Sequence, residues 1–189
     1  MRRKLLKSTL LAVLAMALAA CQSRPENPPE TVDSVDLNRY TGLWYEIARL
    51  PVPFQRADEL ATAEYMLNSA GTVDLVNTAI APDGERRSMT GTAVPVPGSG
   101  NAKLKVSIDN FFAKVFGSPP DWGNYWVLKL DPDYRYALVG SADRKTLWLL
   151  AREPEIPDAV LSQYVQHARD AGYPTGELII NNGAFAGRG

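Results

Sequence analysis

The chain has 189 residues, 20 Lys and Arg against 21 Asp and Glu, a formal net charge of −1, one His and one Cys. That length holds one ordinary domain, and the charge balance, with no basic run, argues against a nucleic-acid partner. A single Cys excludes a disulfide within the chain, and one His with one Cys gives no basis for a transition-metal site, so no metal or cofactor is expected.

In chain order, Met1 to Ala20 read as a targeting segment. Arg2, Arg3, Lys4 and Lys7 form a positive start, and the apolar stretch Leu10 to Leu18 is short for a bilayer span. Leu18-Ala19-Ala20-Cys21 resembles the lipobox of bacterial lipoproteins. The resemblance implies cleavage before Cys21, which then carries a diacylglycerol and usually a third acyl chain. Such chains, at about 0.8 kcal/mol per buried CH₂, anchor a protein without a spanning helix. Gln22, where aspartate retains enterobacterial lipoproteins in the inner membrane, implies anchoring to the outer membrane, on its periplasmic face. Loss of four basic residues with the leader puts the remainder at −5. Residues 21–35 read as the lipidated N-terminus and a Pro-rich, charged tether.

From Thr41 onward the chain reads as all-β. Strands are predicted over Gly42–Leu50, Ala61–Asn68, Thr72–Ile80, Arg86–Pro95, Ala102–Ile108, Asn124–Leu130, Arg135–Ser141 and Thr146–Arg152, with Gly, Pro, Asn or Asp in most connections. Eight antiparallel strands can close into an up-and-down barrel with room for one small ligand, although a sandwich fits the periodicity almost as well. Pro157 to Ala171 then switches to helical period, with Val160, Leu161, Tyr164, Val165 and Ala168 on one stripe that needs a surface to cover. Glu177–Ile180 reads as a short last strand.

Three segments carry a resemblance. Gly42-Leu43-Trp44-Tyr45-Glu46-Ile47-Ala48-Arg49 resembles the lipocalin signature, in the form found in bacterial lipocalins and their apolipoprotein D relatives. Asp133-Tyr134-Arg135-Tyr136-Ala137-Leu138-Val139 and Leu147-Trp148-Leu149-Leu150-Ala151-Arg152 match two further regions in order. The resemblance implies an eight-stranded antiparallel up-and-down lipocalin barrel, one C-terminal α-helix packed outside, and a short final strand. The domain is expected over residues 36–182, after a signal peptide at 1–20 and before a tail at 183–189.

Strand parity puts Trp44, Glu46 and Ala48 on one face of the first strand and Tyr45, Ile47 and Arg49 on the other. The resemblance lays Arg152 across Trp44 at the closed end, where a guanidinium over an indole gains about 0.5–2 kcal/mol. These two form a structural plug. Counting back from Arg152, Leu150 and Trp148 point inward and line the cavity. In the sixth strand, Tyr125, Val127 and Lys129 compete with Trp126, Leu128 and Leu130 for the inner face; the resemblance favours Tyr125, whose phenol can hydrogen-bond a ligand head group. Glu46, facing a barrel interior, must be paired with an internal Lys or Arg, hydrated or protonated, or else meet a polar or cationic head group near the cavity floor. Phe111, Phe112 and Phe116, with Trp122, form an aromatic loop at the open end, read either as a cluster tucked on the rim or as a lip that touches membrane.

The expected function is non-catalytic: binding of a fatty acid, lysophospholipid or similar elongated apolar ligand. Alternatives are an interaction protein whose barrel fills itself, for which a homodimer is allowed, and an enzyme. The last lacks equipment: no nucleophile elbow, P-loop or dinucleotide fingerprint occurs, and the prostaglandin-converting lipocalins use a cysteine inside the barrel that this chain lacks.

Overall fold

Alternating apolar and polar residues between turn residues form eight strands: β1 (Gly42–Arg49), β2 (Leu60–Leu67), β3 (Val73–Ile80), β4 (Arg86–Pro95), β5 (Lys103–Ile108), β6 (Tyr125–Leu130), β7 (Tyr136–Gly140) and β8 (Leu147–Ala151). They belong to a computed structural model that describes residues 25–109 and 119–186. The signal segment, Cys21, Phe111, Phe112 and Phe116 lie outside the described residues. Each strand pairs antiparallel with its chain neighbour, and β1 pairs both β8 and β2, so the sheet closes into a barrel. A ninth strand, β9 (Ile179–Ile180), adds to β1 at Ala48 and Arg49. The barrel expected from the sequence is therefore the fold, and the sandwich is not.

Two apolar clusters lie on either side of the wall. The inner one takes Trp44, Tyr65, Leu75, Ala93, Leu104, Val127, Val139 and Leu150, with Tyr125 and Trp148 packed against it. The outer one takes Ile47, Ala48, Trp126, Leu128, Leu138, Leu147 and Leu149 from the wall and Tyr164 and Ala168 from helix α2 (Asp158–Asp170). The helical stripe thus covers the outside of the barrel, and the helix stops at Gly172, whose φ of 85° suits a residue without a Cβ.

Two irregularities shift parity along the strands. In β1 the register against β8 slips between Glu46 and Ala48, so Ala48 turns outward into the cluster under α2 and Arg49 turns toward Glu46. Strict alternation had put Ala48 with Trp44 and set Arg49 on the opposite face from Glu46; the bulge inserts one residue and reverses both. In β6 the slip falls between Val127 and Lys129, which sends Lys129 outward over the ring of Tyr164 at 5.2 Å and brings Leu130 against the inner cluster.

A second helix, α1 (Leu37–Tyr40), precedes β1. Asp36 caps it by accepting from the Asn38 amide at 2.9 Å, and Leu37 and Tyr40 are buried at the closed end. The end of the expected tether is docked too: Val32 N–H donates to Val127 and Val35 N–H to Gly100, with Val35 buried. Two valines among prolines and charges are enough apolar surface to hold that stretch on the barrel.

Trp44 is fully buried and Met66 is 46% exposed, although both lie on paired strands. Trp44→Ala is expected to cost about 3–5 kcal/mol in urea unfolding, and Met66→Ala no more than about 0.5 kcal/mol. Equal costs would show that the floor is not what holds the barrel closed.

Candidate functional site

The lumen has a floor, a wall and a mouth, each with its own chemistry. At the floor the Arg152 guanidinium carbon stands 3.7 Å from the centroid of the Trp44 ring. Arg152 donates to the carbonyls of Leu43 (2.8 Å), Arg39 (2.9 Å), Thr41 (2.9 Å) and Tyr134 (3.3 Å), and the Trp44 indole N–H donates to Tyr40 O at 2.9 Å. Tyr134 reaches this position from a left-handed backbone, φ 60°, and its phenol oxygen accepts from the Asp36 amide.

Directly above the plug stand three phenols. Tyr40 packs on Trp44 with ring centroids 5.0 Å apart and stacks on Tyr65 at 5.8 Å. The Tyr125 hydroxyl lies 2.8 Å from that of Tyr40 and 3.4 Å from that of Tyr65. Burial pushes all three above the ordinary phenol value, Tyr65 to about 12, so they remain protonated donors at any physiological pH. Tyr125 was expected on the inner face, whereas Tyr40 and Tyr65 were not singled out. The parity of β2, in which Ala63 and Tyr65 alternate with exposed Glu64 and Met66, carried the signal for Tyr65.

The wall is apolar. Leu150 is buried in the inner cluster, and Trp148, two residues nearer the mouth on β8, packs against it half-exposed. Trp126 occupies the other face of β6, donating its indole N–H to the carbonyls of Trp122 and Gly123. Trp122 packs against the outer cluster rather than over the lumen, so of the aromatic loop its described member sits beside the wall.

The mouth is polar. Glu46 is buried, and its Oε1 accepts from Gln55 Nε2 (3.1 Å) and Asn181 Nδ2 (3.0 Å) and lies 3.1 Å from Arg49 Nε. The Arg49 Nε–H is not aimed at an acceptor, so that attraction is coulombic rather than a formed hydrogen bond. Glu46 thereby joins β1, the β1–β2 loop and the segment after β9, and it is turned to these partners rather than to the floor, where a head-group contact was expected. Burial outweighs Arg49 and raises the Glu46 carboxyl to about 7. Beside it opens a cleft of about 360 Å³ bounded by Phe54, Gln55, Arg56, Glu59, Glu85 and Arg87. Glu59, itself buried, holds Arg87 at 2.7 Å and accepts from the Arg56 amide at 2.9 Å.

A family model described as a lipocalin-like domain matches residues 35–182. The chain is 36% identical over 178 residues to the outer membrane lipoprotein Blc of Escherichia coli, covering 93% of this chain and 96% of the relative. It is 38% identical over 152 residues to temperature-induced lipocalin-1 of Arabidopsis thaliana, covering 79% and 80%. Among solved structures, insecticyanin of the tobacco hornworm Manduca sexta superposes with a TM-score of 0.60 over 85% of this chain and 86% of the other, at 19% identity, a likeness of fold.

The Glu46 carboxyl has a testable sign. Its native value of about 7 lies above its ordinary value of 4.5, so between those limits the folded state holds more protons than the unfolded chain. Its contribution to stability therefore falls as pH rises through that window. Glu46→Gln cannot titrate, and unfolding curves from about pH 5 to pH 8 are expected to fall less steeply for the variant, by on the order of 2 kcal/mol across the range. Parallel curves would show that Glu46 ionises as if exposed.

Proposed function

The chain belongs to the lipocalin family, and on that footing we propose that it holds a fatty acid, lysophospholipid or similar elongated amphiphile in its barrel while a lipid on Cys21 anchors it to the outer membrane, on the periplasmic side. The observation that carries the binding reading is the inner cluster, an apolar interior contributed by strands all round the barrel. An eight-residue strand such as β1 is about 26 Å long, and at the usual barrel tilt the wall is about 20 Å high, the length of an extended acyl chain. Burying such a chain at ~25 cal/mol per Å² supplies useful affinity after ordering costs. Glu46, Tyr125, Trp148 and Leu150 are the contacts assigned to the ligand. Nothing in this role needs a catalytic group.

The anchor reading rests on the lipobox-like Leu18-Ala19-Ala20-Cys21 and on relatives named as outer membrane lipoproteins. The aromatic loop with Phe111, Phe112 and Phe116 is proposed as a lip at the open end, and a homodimer is compatible with this reading.

A form beginning at Gln22 keeps every contact described above, since all of them lie from Val32 onward. That form, purified from a bacterial host, is expected to release a fatty acid or lysophospholipid on denaturation in mass spectrometry and to rebind it with quenching of tryptophan emission. Trp148→Ala should weaken rebinding about tenfold. An empty barrel with no quenching would replace the binding reading with that of a self-filled interaction protein. For the anchor, Cys21→Ser should move the protein out of the membrane fraction in high salt; retention there would refute lipidation.

A further inference from the structure

The floor of the barrel has more donors than it can use. Three phenols carry three protons, and the trio forms two hydrogen bonds, Tyr40 to Tyr125 and Tyr65 to Tyr125. Each bond consumes one proton whichever partner donates. One O–H therefore finds no acceptor within the trio, and no other acceptor among the described residues is bonded to any of the three hydroxyls. A buried donor left unsatisfied is unfavourable, so the site favours an oxygen acceptor placed against it. The longer contact, 3.4 Å, is at the weak end of hydrogen bonds and yields readily to a better acceptor.

The sign of that acceptor follows from the neighbouring charge. Arg152 is held entirely by backbone carbonyls, and no carboxylate among the described residues pairs with it. Its charge reaches Tyr40 and Tyr65. At the mouth the balance is the opposite: Arg49, Arg56 and Arg87 face Glu46, Asp58 and Glu59. Positive charge without its own anion is therefore found at the floor rather than among the paired arginines of the mouth, and it is partly shielded because Arg152 is only half-buried.

We infer that the barrel takes a fatty carboxylate head-first, its carboxyl oxygen accepting the spare proton of the Tyr40–Tyr65–Tyr125 trio and its methyl end toward the mouth. This deepens the binding reading and rests on it. The apolar wall between the trio and Trp148 then meets the alkyl chain, and a ligand whose head is too bulky to descend the lumen, such as a glycerophosphate, is disfavoured against the free acid.

The test uses stearic acid carrying a bromine atom, a contact quencher of indole emission no larger than a methyl group, near its carboxyl end or near its methyl end. In the Trp148→Phe variant of the form beginning at Gln22, Trp44 is the tryptophan that belongs to the inner cluster, since Trp122 and Trp126 pack outside. Head-first entry requires the carboxyl-proximal label to be the stronger quencher at saturation. The isosteric triple variant Tyr40→Phe, Tyr65→Phe and Tyr125→Phe removes every proton of the trio and is expected to bind unlabelled stearate at least about tenfold more weakly, the worth of one hydrogen bond to a charged acceptor. The label comparison stands even where the triple variant fails to fold. Stronger quenching by the methyl-end label, or full affinity in a folded triple variant, would overturn the orientation and leave the binding reading intact. No stearate binding by the unsubstituted protein would overturn the orientation, and failure to bind a lysophospholipid as well would overturn the binding reading.

Discussion

The stack of the Arg152 guanidinium on Trp44 is the interaction on which the closed end depends. A guanidinium brings five N–H donors in a flat fork, and here they reach the carbonyls of Arg39, Thr41, Leu43 and Tyr134. One side chain from the end of β8 thereby ties α1, the start of β1 and the β6–β7 turn into one plate. The indole beneath supplies the apolar area that excludes water, and its N–H is satisfied by Tyr40 O, which fixes α1 over the floor. The cost of taking Arg152 partly out of water is offset by cation–π attraction and by carbonyls that would otherwise lack partners where strands end. Because the partners are carbonyls rather than a carboxylate, the plug closes the barrel without neutralising it.

Above this plate the lumen is shaped by two bulges. A strand of strict alternation would put every second residue inside from floor to mouth, which would carry Ala48 into the lumen and Arg49 out under helix α2. The slip after Glu46 instead gives α2 an unbroken apolar surface of Ile47 and Ala48 and gathers Arg49 with Glu46 near the mouth. The slip in β6 does the reciprocal work, turning Lys129 out over Tyr164 and keeping Leu130 in. Both segregate polar from apolar groups more completely than alternation allows, which is what a dry wall between two polar ends requires.

Most of this architecture was legible in the residues. The eight strands, the covering helix and the inward direction of Trp148 and Leu150 follow from period, turn chemistry and the three lipocalin-like segments, whereas period left the inner face of β6 open and only the resemblance favoured Tyr125. The bulges were not legible, because inserting one residue leaves no mark on composition and reveals itself only in pairing. Helix α1 escaped for a different reason: four residues make barely one turn, too few to establish a period, and its one local sign was Asp36 in capping position before Leu37. With α1 unseen, Tyr40 had no place in the site. The trio was therefore represented by Tyr125 alone, although Tyr65 lay on a face that alternation could have found.

The two ends of the lumen differ in what pH can do to them, and this follows from how each is buried. At the floor, burial reinforces the neutral form of phenols that would be neutral in water, so the same donors are offered across the physiological range. At the mouth, burial acts on a carboxyl whose ordinary form is charged and moves Glu46 to about 7, where its charge changes within that range. Glu46 holds Gln55 of the β1–β2 loop and Asn181 behind β9 through a single oxygen. Protonation removes the charge from both bonds and from the partner of Arg49, but it also removes the cost of burying a carboxylate, which is the larger effect. The floor thus offers a constant set of donors, whereas the cluster around Glu46 changes charge with pH and is favoured in the folded state as the surroundings acidify.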